Sequence, residues 1–201
     1  MANDLGVDGI MIVTPYYSKP SQDGILKHFE LISKNTELPI MAYNIPGRTS
    51  TLIELETLEK LVDDIGIHSI KDAVGDLEFS KLELEALKDK VDIYSGNDSE
   101  TIEFMKMGGK GVVSVASHVV GKEIYQLIES VSADEIEAAE QIQNILLPIF
   151  DMLFEEPSPG PVKYLLTKTW EDVGTPLMPI TDITPDLSNK ILDYYKKIKK
   201  D

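Results

Sequence analysis

The sequence predicts an α/β fold built on a parallel β-sheet, and three observations carry that expectation. Short apolar, β-branched runs alternate with longer stretches of helical period five times over. The runs are apolar at nearly every position, as strands covered on both faces are. Repetition of strand and helix in this manner implies right-handed βαβ crossovers. From Ala133 onward the alternation stops, and helical stretches follow one another with no strand between them.

The first strand is read from Gly6-Val-Asp-Gly-Ile-Met-Ile-Val-Thr14, ending at Pro15. Ser21 is placed to cap a helix that carries Ile25, Leu26, Phe29 and Ile32 on one side. Leu38 to Asn44 forms the second strand, and 52–61 is helical, with Leu55, Leu58 and Leu61 near one side. Ile67 to Asp72 is the third strand, followed by a helix over 79–87. Val91 to Ser95 is the fourth, followed by a helix around 101–107. Gly111 to Val115 is the fifth, followed by a helix near 123–131. Segments 134–155, 160–170 and 186–199 are helical, with the Pro-rich Glu156-Pro-Ser-Pro-Gly-Pro161 as a hinge-like connection. Five βα units fit an open, doubly wound sheet, whereas a (β/α)8 barrel needs eight in about 250 residues. Periodicity alone leaves both open.

The 201 residues suit one domain, or one with a helical appendage. Lysine and arginine total 19 against 35 acidic residues, a formal net charge of -16. Such a surface repels phosphate backbones and anionic lipid heads, which excludes nucleic acid and membranes as expected partners. Cysteine is absent, which removes disulfides, thiolate zinc sites and cysteine nucleophiles. No apolar run reaches the roughly 20 residues of a membrane helix. Met1 is followed by Ala-Asn-Asp rather than by a signal-peptide pattern, so the cytoplasm is the expected compartment.

In both βα architectures chemistry gathers at the carboxyl ends of the strands. Those ends carry Thr14, Tyr16 and Tyr17; Tyr43, Asn44 and Arg48; Lys71 and Asp72; Gly96, Asn97 and Asp98; Val113 and Ser114. Lys71 is either a solvated charge or a desolvated amine. In the second case burial favours the neutral form and makes it a nucleophile toward a carbonyl, which is Schiff-base chemistry. Tyr43 is either a core tyrosine or a phenol that shuttles a proton at a carbonyl carbon. Arg48 is either a surface charge or a fork for a carboxylate. His28, His68 and His118 have no metal-ligand spacing, and no metal site is expected. Gly108-Gly-Lys-Gly111 precedes a strand and so reads as a tight turn rather than a phosphate loop.

Val13-Thr-Pro-Tyr-Tyr17, Tyr43-Asn-Ile-Pro-Gly-Arg-Thr49, Ile70-Lys-Asp-Ala-Val-Gly75, Ser95-Gly-Asn-Asp98 and Gly108-Gly-Lys-Gly-Val-Val-Ser-Val115 together resemble the dihydrodipicolinate synthase family in order and spacing. The resemblance continues through Pro161-Val-Lys163 and Pro176-Leu-Met-Pro179. It implies a class I aldolase-type (β/α)8 barrel with a C-terminal helical region, a tetramer of tight dimers, and no cofactor. The implied substrates are pyruvate and aspartate semialdehyde, condensed in lysine and diaminopimelate synthesis.

By resemblance Lys71 forms the pyruvate imine and Tyr43 is the proton-relay tyrosine beside it. Tyr17 reaches across the dimer interface to complete a relay, and Arg48 holds the semialdehyde carboxylate. Gly96 and Val113 line the pyruvate pocket, and Tyr16 lies near a lysine feedback site. Gly47-Arg-Thr49 favours this activity over the sister sialic-acid lyases. The family's Gly-Thr-Thr-Gly-Glu loop has no counterpart in the sequence. The expected architecture is therefore an incomplete barrel of about five βα units over 1–132, the fourth to the eighth, plus a helical region over 133–201. Three absent units come to roughly 90 residues. Without that loop the chain as given is expected to be impaired or inactive as a synthase. The rival expectations are a non-catalytic remnant or interaction subunit that keeps the site residues, and a sister 2-oxo-acid aldolase such as a sialic-acid lyase.

Overall fold

Residues 2–200 are described in a computed structural model, and they fall into two compact units that divide between Val113 and Ser114. In the first unit β1 (Ile10–Val13), β2 (Ile40–Asn44), β3 (Ser69–Asp72) and β4 (Asp92–Ser95) form one sheet, all parallel, in the order β1-β2-β3-β4. Between them run α1 (Gln22–Ser33), α2 (Pro46–Thr49), α3 (Leu55–Lys60) and α4 (Leu77–Ala86), and β4 is followed by α5 (Thr101–Lys106). The order never reverses. With right-handed crossovers, strands added always on the same side place their helices on one face. A doubly wound sheet reverses and covers both faces. The sheet is therefore wound as a barrel wall is, which decides the question that periodicity left open.

Register sorts the strand residues by face. Ile12, Ala42, Ile70 and Ile93 lie abreast across the four strands. They belong to the core with Ile25 and Phe29 of α1, Leu58 of α3, Leu84 of α4 and Phe104 of α5. Each fully buried side chain of that size contributes about 1.5–3 kcal/mol. One residue further along, Val13, Tyr43, Lys71 and Tyr94 lie abreast, so by strand alternation they share the opposite face. Helix starts follow local chemistry: Ser21 caps α1 by accepting from the Gly24 N–H at 3.2 Å, as its sequence position implies, and Asp76 caps α4 by accepting from Glu78 and Phe79.

The fifth strand is shorter than its sequence suggests. It is a single parallel bridge between Val112 and Ser95, made by Ser95 N–H to Gly111 O and Val113 N–H to Ser95 O. On one side Gly109 packs so tightly that a Cβ there would lie 2.1 Å from the Phe104 ring. On the other, Ser114 accepts from the Ser117 N–H at 2.8 Å and begins the next helix. One bridged residue, Val112, is all that fits between the turn and the cap.

Among the described residues β1 is paired on one side only, and Met11 is 49% exposed. A free parallel edge with apolar neighbours is a template for association. A polypeptide of residues 1–201 alone is expected to self-associate or bind apolar dyes. Monodisperse light scattering at monomer mass, with no dye binding, would contradict this.

The second unit is helical: α6 (Ser117–Ser132), α7 (Ile136–Met152), α8 (Gly160–Thr169) and α9 (Pro185–Ile198). Ile124 and Leu127 of α6, Leu146 and Ile149 of α7, Leu165 of α8, and Leu187 and Ile191 of α9 are buried. The Pro-rich stretch is anchored at both ends. Gly160 and Pro161 are buried at the start of α8, where proline's missing N–H costs nothing, and Glu156 accepts from the Thr184 N–H. Thr184 in turn caps α9 through the Leu187 N–H. Among the described residues no helix is long and apolar enough to cross a membrane.

Candidate active site

Lys71 lies near the carboxyl end of β3 and is only 7% exposed. Its Nζ sits 4.3 Å from the ring centroid of Tyr43, its register partner on β2. Alternation on neighbouring parallel strands puts both on one face. Burial holds the Lys71 amine below the ordinary lysine pKa, while the Asp98 carboxylate partly opposes this. More neutral amine is available at a given pH than a solvated lysine would supply. Burial also raises the Tyr43 phenol, opposed by the positive charge of Arg48.

Arg48 projects from α2, a single turn that follows β2 directly. The turn is tied by Arg48 N–H to Ile45 O at 3.0 Å and by the Thr49 hydroxyl, which donates to Ile45 O at 3.0 Å. The buried Asn44 closes the same loop, bonding both the N–H and the carbonyl of Ile53 at 3.0 Å. The guanidinium is exposed and makes no ion pair among the described residues, yet it is close enough to act on the Tyr43 phenol. Amine, phenol and guanidinium thus converge at one strand-end region.

Gly96 belongs to the same place. A Cβ there would stand 2.9 Å from Lys71 Cε and 2.7 Å from Ala73 Cβ. Its N–H bonds the Asp72 carbonyl, so the backbone has little room to withdraw. Gly96→Ala is expected to displace the lysine, costing ~10²-fold in any reaction of the amine and about 1–3 kcal/mol of stability. Amine-trapping rates and thermal melts check both; wild-type behaviour in both would show that the site is looser than its geometry. Val113 is half-buried and joins this region through its N–H to Ser95 O.

Tyr16 and Tyr17 are not brought to the amine. They lie on the loop after β1, and Tyr17 is 96% exposed with φ 68°, a left-handed conformation uncommon outside glycine. Three residues near Lys71 had been given no role from sequence. Tyr94 is its register partner on β4, Asp98 acts on it electrostatically, and Asp72 faces α4 on the other side of the sheet. On α4, Ser80 and Glu83 are buried with Leu84. Their signal was present: positions 80, 83, 84 and 87 form a helical stripe, and Glu83 is an acid on its buried side.

A parallel sheet wound in the barrel manner, with a buried strand-end lysine facing a phenol, defines a barrel-type α/β protein. Residues 1–198 match the dihydrodipicolinate synthetase family, and the chain belongs to that family. It is 40% identical over 186 residues to the 4-hydroxy-tetrahydrodipicolinate synthase of Listeria monocytogenes serotype 4b (strain CLIP80459), covering 92% of this chain and 64% of that protein. The crystal structure of dihydrodipicolinate synthase DapA-2 from Bacillus anthracis superposes with a TM-score of 0.93 at 39% identity, covering 97% of this chain and 67% of that one. The chloride-inhibited dihydrodipicolinate synthase from Acinetobacter baumannii, complexed with pyruvate, superposes with a TM-score of 0.93 at 32% identity, covering 98% and 68%. The fold is that of the (β/α)8-barrel family. The chain spans 64% of the length of the Listeria relative.

Proposed function

We propose that this chain carries the Schiff-base centre of a 4-hydroxy-tetrahydrodipicolinate synthase, condensing pyruvate with aspartate semialdehyde in lysine and diaminopimelate synthesis. The observation that carries the reading is the buried Lys71 amine held 4.3 Å from the Tyr43 ring. The neutral amine attacks the pyruvate ketone, and water leaves as the imine forms. Tyr43 passes protons at that carbon, with Tyr17 of a neighbouring copy completing the relay, which suits a side chain presented to solvent. Loss of a proton from the methyl carbon gives the enamine, which adds to the aldehyde; the amino group of the semialdehyde then cyclises onto the imine carbon and displaces the Lys71 amine, releasing the product. Arg48 grips the carboxylate of the semialdehyde, its free fork being suited to that group. Gly96 and Val113 wall the pyruvate pocket, and Tyr16 borders a lysine feedback site at the same interface. The assembly is a homotetramer of tight dimers working in the cytoplasm. The pyruvate complex of the Acinetobacter relative supports the first substrate.

The division of labour between substrates tests the reading. Arg48→Ala is expected to lower kcat/KM for aspartate semialdehyde by about 2–4 kcal/mol, while imine formation with pyruvate persists. Steady-state kinetics beside borohydride trapping separates the two. Equal loss for both substrates would mean that Arg48 supports the loop and does not read the semialdehyde.

A further inference from the structure

Behind the sheet face that carries Lys71 lies a buried carboxyl pair that the mechanism does not use. Asp72, the residue after Lys71, points the opposite way toward α4. Its Oδ2 accepts from the Ser80 hydroxyl at 2.5 Å, and its Oδ1 accepts from the Val74 N–H at 2.8 Å. Glu83, one turn beyond Ser80, is fully buried and interacts with the same Asp72 carboxyl. Among the described residues no donor reaches either oxygen of Glu83. Two buried carboxylates without a donor between them repel and leave lone pairs unsatisfied, so the arrangement closes only when one carries a proton.

Among the described residues no cation faces the pair. The register neighbours of Asp72 are Asn44, whose amide is spent on Ile53, and Ser95, whose hydroxyl is spent on Asn97. Asp76 at the start of α4 adds negative charge to Asp72. On the helices that flank α4, Lys60 is paired with Glu56 on α3 and Lys106 with Glu103 on α5, all four exposed; Glu59 of α3 is partly exposed. Burial pushes both carboxyls above the ordinary range, Glu83 the further; the Asp72 charge adds to this at Glu83, whereas hydrogen bonds from Ser80, Val74 and Glu83 oppose it at Asp72.

The same strand end holds the amine. The Asp72 carboxyl pins the turn after β3 through Val74, and the Asp72 carbonyl accepts the Gly96 N–H. Gly96 is the residue that abuts Lys71 Cε.

We propose that Asp72 and Glu83 hold one proton between them as a carboxylic acid–carboxylate pair, and that this pair is the positioning element for Lys71. The shared proton stands on its own; its consequence for Lys71 rests on the imine chemistry proposed above. Glu83 donates, Asp72 accepts, and α4 is drawn onto β3. Loss of the proton places two negative charges in the core and loosens the turn that sets the amine.

Glu83→Gln keeps a donor and cannot ionise; Glu83→Leu removes the donor. A carboxyl whose folded pKa is raised contributes stability that is complete below its unfolded pKa and is lost as pH rises through its folded pKa. Thermal melts of the intact protein from about pH 5 to pH 9 should therefore show Glu83→Gln gaining on the wild type as pH rises. A constant difference between the two across that range overturns the shared proton. For positioning, the readout is the rate of borohydride-trapped pyruvate imine. Glu83→Leu should lose ~10-fold or more at neutral pH with its circular dichroism unchanged, and Glu83→Gln should restore the rate. Folded Glu83→Leu trapping at the wild-type rate overturns the positioning role. If Glu83→Leu does not fold, the alkaline limb decides: the wild type must fall away relative to Glu83→Gln, and coincident profiles overturn the role. If no variant and no wild type traps pyruvate, the imine chemistry fails, while the melts still decide the pair.

Discussion

Lys71→Ala should reduce pyruvate imine formation and semialdehyde condensation to background, a loss of ~10⁴-fold or more, because among the described residues Lys71 is the amine held over the Tyr43 ring. Stability should not fall in parallel. An amine whose pKa is depressed by burial holds fewer protons folded than unfolded. Its contribution therefore rises with pH toward the unfolded value and is unfavourable below the folded one. Lys71→Met, which keeps the volume and removes the charge, is expected to melt at or above the wild-type temperature at neutral pH. A side chain that costs stability where it sits is retained for chemistry. Calorimetry with a trapping assay reads both; a clear drop in melting temperature for Lys71→Met would reassign the lysine to a structural role.

Tyr43→Phe should lower turnover by ~10²–10⁴-fold, the range for a positioned proton-transfer group. The ring that walls Lys71 at 4.3 Å remains, so the fold and the placement of the amine should survive. The loss should therefore fall on kcat, with pyruvate trapping slowed at its dehydration step rather than abolished. The wild-type phenol is raised by burial, and Arg48 opposes that shift. Removing Arg48 should thus move any alkaline limb that belongs to Tyr43 to higher pH. An unchanged kcat in Tyr43→Phe would place the proton relay elsewhere.

Much of this was legible in the sequence because each signal was local. The first four apolar runs became strands, Ser21 became a helix cap, and the strand ends gathered Tyr43, Arg48, Lys71 and Gly96. What escaped was set by contacts distant in sequence. Strand order, which separates a barrel wall from a doubly wound sheet, depends on which strands pair and not on how each one reads. The fifth strand was overextended because Gly111 to Val115 has strand composition, while the packing of Gly109 under Phe104 and the turn at Ser114 leave room for one bridge. The Pro-rich stretch reads by composition as a hinge-like connection, and that reading does not foresee that its last two residues, Gly160 and Pro161, are the buried start of α8. Glu83 is hard to find from sequence because acids on a helix usually face water; only its place beside Ser80 and Leu84 marks it as buried.

The central claim is that Lys71 is the imine-forming amine of this family member. Incubating the intact protein with pyruvate, reducing with borohydride, and mapping the modified peptide by mass spectrometry tests it most directly. One reduced pyruvate adduct per chain, on Lys71 and absent from Lys71→Ala, is the expected result. An adduct on any other lysine, or one that survives Lys71→Ala, would contradict it.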